Sequence, residues 1–376
     1  MRKFHFLPII LLFIYSCKDD QNKIEVSGSL STKIIYAKGF EIENFNDHKV
    51  LKISNPWPGA DKIYTYLLKK NDHTIEGEEN YDGIVQIPVQ NLVVTSTTHI
   101  PSLEMLGVEN LLVGFPNLNY ISSEKTRRLI ENDKIKELGK NEDINTEVLI
   151  DLSPDVVVTF AVEGGNKTVS ILQKTGIPVI YNSDWTETHP LGKAEWIKFF
   201  GALVDKEKEA DSIFSEIENS YNTAKALAAQ AMNKPTVLSG AMYKDIWYLP
   251  QGDSWAARFI EDAYGEYIWK DSKGTGSHSL NLETVLEKGK EAQYWIGPGQ
   301  FTSFEQMNEM HTVYSEFEAF QQKRIYSFTT IQGATGGVLY YELAPNRPDI
   351  VLKDIIKILH PQLLPEHKLY FFSLLE

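Results

Sequence analysis

The sequence predicts an α/β protein of two Rossmann-like lobes with parallel sheets, joined by a long backbone helix and preceded by a small N-terminal β region. Three observations predict it. Short apolar runs alternate with helix-length segments over residues 91–186 and again over 234–376. A stretch rich in Ala, Glu, Lys and Leu over 187–233 separates the two series. The motif Asn145-Thr146-Glu147-Val148-Leu149-Ile150-Asp151 recurs as Asn281-Leu282-Glu283-Thr284-Val285-Leu286-Glu287, once in each series. Strand–helix alternation of this kind implies parallel strands wrapped by crossover helices.

The chain opens with Arg2 and Lys3, an apolar run over 4–15, then Ser16 and the single cysteine, Cys17. A basic start, a short apolar core and a small residue form an export signal, assigned to 1–16. The run is too short to span a bilayer, which takes about 20 residues. Ile14-Tyr15-Ser16-Cys17 resembles a lipobox, which implies lipid on Cys17 and a lipidated tether over 17–32. Lys18-Asp19-Asp20 resembles the basic-acidic export tag of surface lipoproteins, so periplasm and cell surface both stay open. With its one cysteine lipidated the chain has no disulfide to draw on, and 42% hydrophobic content must supply the cores. A formal charge of −14 excludes a nucleic-acid partner.

Over 33–90 the pattern reads as strands at Ile34-Ile35-Tyr36, Val50-Leu51-Lys52-Ile53, Tyr64-Thr65-Tyr66-Leu67 and Ile84-Val85-Gln86-Ile87, separated by Asn55-Pro56, Pro58-Gly59 and Asp82-Gly83. The first lobe, 91–186, starts with Leu92-Val93-Val94-Thr95, an apolar run suited to a strand buried on both faces. Strands at 111–114, 155–160 and 178–181 alternate with helices at 100–106, 145–152 and 167–175. The linking helix, 187–233, ends at Asn233 and Pro235, with Asp205 placed to re-cap it after Gly201. The second lobe repeats the alternation and closes with a helix after Pro348, a residue suited to a helix start.

In the repeated motif each Asn precedes a helix and can accept from its first-turn amides, while the Glu just inside favours the helix dipole. Read alone, Glu147 and Glu283 are helix stabilisers. The paired halves, linking helix, export signal and lipobox resemble the iron-complex and vitamin B12 class of ABC-transporter substrate-binding proteins over about 91–362. The segment Leu152-Ser153-Pro154-Asp155-Val156-Val157 carries part of that resemblance. The stretch from Tyr340-Tyr341-Glu342-Leu343 through Asn346-Arg347-Pro348-Asp349 to His360-Pro361 carries the rest. The resemblance implies an ABC permease and its ATPase as partners, with Glu147 and Glu283 docking on permease arginines. Residues 33–90 fall outside it.

Ligands of two-lobed α/β proteins bind at strand C-termini between the lobes. The loops there offer Thr97, His99, Asn117, Tyr120, Gly164, Asp184 and Trp185 from the first lobe. From the second come Tyr243, Trp247, Trp255, Ser277 and Gln300. This set is rich in aromatic, amide and glycine residues and poor in Arg and Lys. It suits a flat, polar-rimmed metal chelate or corrinoid, such as a siderophore, haem or cobalamin, over a tricarboxylate. His99, Glu163, Asp184 and His278 show no metal-ligand spacing, so a bare metal ion is the weaker reading. Ser96 lacks a nucleophile elbow, and the glycine clusters lack a phosphate-loop Lys-Ser/Thr, so neither catalysis nor a cofactor is expected. A capture lipoprotein feeding an outer-membrane transporter stands as the alternative.

Overall fold

Alternating β-branched and aromatic residues build the first unit of the fold. The computed structural model describes residues 30–376 except 73, 165 and 166. The export signal, Cys17, Lys18-Asp19-Asp20 and the tether up to residue 29 lie outside the described residues. Leu30–Ser31, Phe40–Asn44, His48–Ile53, Tyr64–Lys69 and Gly83–Gln86 form one five-stranded sheet in that order. It is antiparallel except for its last pair. Two residues expected in the tether, Leu30 and Ser31, are thus an edge strand. The strand expected at Ile34-Ile35-Tyr36 is absent, because those backbone amides are engaged by a side chain from elsewhere.

That side chain is Glu195, fully buried. Its carboxylate accepts from the amides of Ile35 (2.9 Å), Tyr36 (2.7 Å) and Ala37 (2.9 Å). Glu187 continues the grip, accepting from the amides of Lys38 (2.8 Å) and Gly39 (2.9 Å) and from the indole of Trp196 (3.2 Å). Lys198 donates to Glu195 at 3.1 Å and to the Lys33 carbonyl at 2.7 Å. Only glycine fits at Gly39, where a Cβ would lie 2.6 Å from Ser183 Oγ and 2.7 Å from the Trp196 ring. Farther along, Lys49 is buried and donates to the Ala202 carbonyl (3.2 Å) and to Glu207.

The first lobe is a five-stranded parallel sheet in the order Val179–Tyr181, Val156–Thr159, Leu92–Val94, Leu112–Phe115, Lys136–Glu137. Its first three strands are buried throughout, as expected where helices cover both faces. The outer strand is the charged pair Lys136–Glu137, which blunts the edge. The second lobe orders Glu266–Tyr267, Thr236–Ser239, Tyr294–Ile296 and Ile325–Ser327 in parallel, with Ser373–Leu374 antiparallel at the edge. A separate antiparallel sheet, Ala241–Tyr243, Ile246–Pro250 and Ser277–Leu280, follows its first strand. The sequence reading had placed loops there.

The linking stretch is three helices rather than one: Pro190–Glu195, Ile197–Leu203 and Glu207–Ala228. Every residue of the first two is buried, so they are core. The third buries Ala210, Phe214, Ile217, Tyr221, Ala224 and Ala228, a single stripe at helical spacing, and at about 1.5 Å per residue spans about 33 Å. The break falls beside Asp205, but Asp205 does not cap the next helix. Its backbone is left-handed (φ 56°), and Lys206 holds the cap position without a side-chain bond. At Gly201 a Cβ would approach Ala210 Cβ to 2.8 Å, so glycine lets these helices cross closely.

Removing the Glu195 carboxylate leaves three amides without their acceptor and the buried Lys198 with only the Lys33 carbonyl and the exposed Asp211 at 3.4 Å. Glu195→Ala is therefore expected to lower stability by about 3–5 kcal/mol, read from urea denaturation. An unchanged midpoint would show that these bonds contribute nothing.

Candidate functional site

The strand C-termini of the two parallel sheets face each other across a cleft. Thr95, Ser96, Thr97, Phe115, Tyr120 and Phe160 of the first lobe and Gly337, Val338, Tyr341 and Glu342 of the second enclose a cavity of about 290 Å³. It shares Asn141 and Phe160 with a cavity of about 300 Å³ under the 159–164 loop, lined also by Glu142, Glu163 and Gly164. On the other side it shares Tyr341 with an apolar pocket of about 230 Å³ inside the second lobe. There Tyr340 stacks on Phe328 at 4.4 Å and meets Trp255 at 5.8 Å, and Phe372 lines the pocket 5.6 Å from Tyr340. None of the described residues lining these three cavities is Lys, Arg or His, whereas Glu142, Glu163 and Glu342 all face them.

The lobes meet through polar contacts beside the cleft. Ser102 Oγ donates to Asn346 Oδ1 (2.7 Å), Asn346 Nδ2 donates to the Thr98 carbonyl (2.8 Å), and Thr335 donates to the Asn119 carbonyl (2.8 Å). Glu342, buried, accepts from the amides of Ser122 (2.6 Å) and Ser123 (3.1 Å). Burial raises its pKa to about 7, against the lowering effect of those amides and with a further raising effect from Glu104.

Of the residues selected from the sequence, Thr97 and Tyr120 line the central cavity, Gly164 the adjoining one and Trp255 the apolar pocket. Gln300 is exposed next to Gly299 of the pocket wall. Asp184 and Trp185 lie together at a different place. Their carbonyls accept from the buried Lys193 Nζ at 2.9 and 3.0 Å, and that ammonium sits 5.3 Å from the Trp255 ring. Burial lowers the Lys193 pKa, with Asp184 and Glu187 opposing. Tyr243 and Ser277 are exposed on the antiparallel sheet of the second lobe. Asn117 is left-handed (φ 57°), half-buried, and donates its amide to Glu137 at 2.8 Å.

Two selections are corrected by burial. Trp247 has no exposed surface; it stacks on Trp295 at 5.2 Å, and its indole donates to the Ser239 carbonyl at 3.1 Å. It alternates with exposed Ile246 and Tyr248, a period-two pattern that marks a strand. His99 is equally buried, 5.7 Å from the Phe200 ring, and both its ring nitrogens lack a partner among the described residues. Glu342 and Asn346 were overlooked as contact residues, although both stand in the closing stretch that carried the resemblance. Glu147 and Glu283 are exposed in the first turns of Thr146–Leu152 and Leu282–Gly289. Asn145 and Asn281 cap these helices by accepting from Val148 and Thr284 at 3.2 and 2.8 Å.

Burial lowers the His99 pKa from 6.5 to about 4, Asp184 opposing. A depressed histidine contributes stability that is present above pH 6.5 and lost as pH falls toward 4. His99→Phe is therefore expected to shrink the fall in Tm between pH 7 and 4.5, leaving the share of His189, also lowered to about 4 by burial and by Arg258. A slope identical to that of the unmodified protein would contradict this assignment.

Comparison with known proteins places this architecture. The profile of a periplasmic binding protein family matches residues 92–330. An uncharacterized lipoprotein of Methanocaldococcus jannaschii is 27% identical, the alignment covering 94% of this chain and 89% of that protein. Among solved structures, a periplasmic binding protein from Veillonella parvula superposes with a TM-score of 0.61 at 15% identity, covering 86% of this chain and 95% of the other. A possible iron-binding, periplasmic solute-binding protein from Staphylococcus epidermidis does so with 0.56 at 17% identity, covering 73% and 99%. At such identities the structures attest to the fold. With the match spanning the first lobe and most of the second, the chain belongs to the periplasmic binding protein family.

Proposed function

We propose that the protein is a lipid-anchored receptor that captures a flat iron chelate or corrinoid carrying no net negative charge and hands it to an ABC permease. What supports this is the lining of the three connected cavities: Glu142, Glu163 and Glu342 face them and none of their described lining residues is basic, whereas Lys125, Arg127 and Arg128 line the groove beyond Ser122. An acidic ligand enclosed there would lose hydration without gaining a cation, at a cost of several kcal/mol. The exposed propionates of haem or the carboxylates of a citrate chelate would bear that cost. A cationic or neutral chelate, or a corrinoid with amide side chains, would not. Phe160, Tyr120, Tyr341 and the Trp255–Tyr340 pair offer planar surface.

Delivery follows from the paired glutamates. Glu147 and Glu283 are exposed, capped alike, and form no ion pair among the described residues. They are two anchors, one per lobe, for charge-assisted pairing with permease arginines. Cys17 supplies the anchor to the membrane, in keeping with the lipoprotein name of the archaeal relative.

Glu147→Lys combined with Glu283→Lys is expected to abolish uptake into cells while leaving ligand Kd within twofold. Uptake of a radiolabelled metal chelate or cobalamin, set beside equilibrium binding, reads both. Uptake retained by the double variant, or affinity lost in step with it, would remove the docking role.

A further inference from the structure

One end of the cleft is closed by a contact more specific than the lobes' general proximity. The loop ending at Ser123 in the first lobe meets residues 333–342 of the second. A Cβ at Gly333 would lie 2.7 Å from Ser122 Cβ, and one at Gly337 would lie 2.3 Å from Ser122 Oγ. Into this tight seat Glu342 inserts its carboxyl, accepting from two successive amides of the opposite lobe. Ser122 Oγ is buried beside the same carboxyl. On the inner side Glu342 lines the cleft cavity; on the outer side Ser122 and Ser123 line a groove of about 660 Å³.

We propose that Glu342 is a positioning residue that clasps the two lobes at this end of the cleft, and that its seating sets how far the cleft opens. The inference rests on the cleft being the ligand site. A clasp made by a carboxyl with no cation beside it responds to protons. Glu104, on the helix Ile100–Met105, faces the same seat and accepts from Ser123 Oγ and from the amide of Thr126 at 3.1 Å. Lys125 turns away to the Glu104 carbonyl and to Glu109, and Arg127 donates to the Leu118 carbonyl. Arg128, Glu124, Glu131 and Tyr370 line the outer groove, and Tyr341 and Tyr120 the inner cavity. None of the cations forms an ion pair with Glu342 among the described residues.

The sign follows from linkage. Seated, the carboxyl has a pKa of about 7; released into water it returns to the ordinary 4.5. The seated state therefore binds protons more tightly, and the clasp weakens as pH rises, by about tenfold from pH 6 to pH 8. Protonated, the carboxyl can donate to Ser122 Oγ while its other oxygen still accepts from an amide.

Hydrogen–deuterium exchange of the full chain without ligand, corrected for the intrinsic pH dependence of exchange, tests this. In the unmodified protein the protection of the Ser122 and Ser123 amides is expected to fall about tenfold from pH 6 to pH 8, with parallel loss in peptides spanning 94–98 and 158–162. Glu342→Gln, which keeps the shape and removes the charge, should hold the pH 6 protection at both values. Glu104→Gln should move the midpoint down, and Gly333→Ala should lose protection at both. Equal protection at both pH values in the unmodified protein, a Glu342→Gln variant that tracks it, or full protection in Gly333→Ala would each overturn the clasp. Because no ligand is present, such a failure would leave the binding role of the cleft standing.

Discussion

Two buried glutamates holding five consecutive backbone amides are the constraint on which the rest of this structure depends. Residues 35–39 have no strand partner, and a buried backbone without partners costs more than packing returns. Glu195 and Glu187 supply the acceptors from within the linking segment, and Lys198 neutralises part of their charge. The N-terminal sheet is thereby fastened to the helices that also connect the lobes. Tyr66 of that sheet and Trp57 of its connecting loop reach the first lobe at Tyr181, and Trp57 packs against the place a Gly164 side chain would occupy. The extra sheet is thus continuous with the wall of the cleft.

That arrangement gives the linking segment a double role. Its first two helices are core: Pro190–Glu195 packs against second-lobe helices, and Ile197–Leu203 against Ile100–Met105 of the first lobe. Its third carries Tyr221, which donates to Asp262 of the second lobe at 2.6 Å, and Lys225, which pairs with the same carboxylate at 2.7 Å. A rigid connector on one side and polar contacts at Ser102–Asn346 and Glu342 on the other leave the cleft little room for wide hinging. In the proposed function the energetics of capture fall on the lining, where aromatic faces provide area and carboxyl groups disfavour an anionic ligand.

Much of this was legible in residues whose signals are local. Asn145 and Asn281 marked helix starts because an amide side chain at that position has one favourable task, and the all-apolar runs at 92–94 and 156–158 marked strands buried on both faces. The failures share a physical cause: the deciding partner was distant. Ile34-Ile35-Tyr36 has strand composition, but Glu195, some 160 residues on, claims its amides. Trp247 looked like a cleft aromatic because its pairing with Leu280 in a second sheet lies 33 residues away. His99 sits in a cleft loop by sequence, yet its ring turns inward onto Phe200. Glu342 and Asn346 lie in a stretch whose pattern identified the family, but a pattern does not say which lobe a side chain touches. Lys49, next to the apolar pair Val50-Leu51, is buried only because Glu207, far along the chain, pairs with it.

In the proposed function the cleft selects its cargo by the absence of basic residues from the three cavities' lining. The most direct test is native mass spectrometry of the protein drawn from its own membranes, with the absorbance spectrum of whatever is released. The account predicts a single bound metal chelate or corrinoid, recovered chemically unchanged and bearing no net negative charge at neutral pH. Recovery of an anionic ligand, such as haem or a ferric carboxylate, or of a chemically altered product would contradict it.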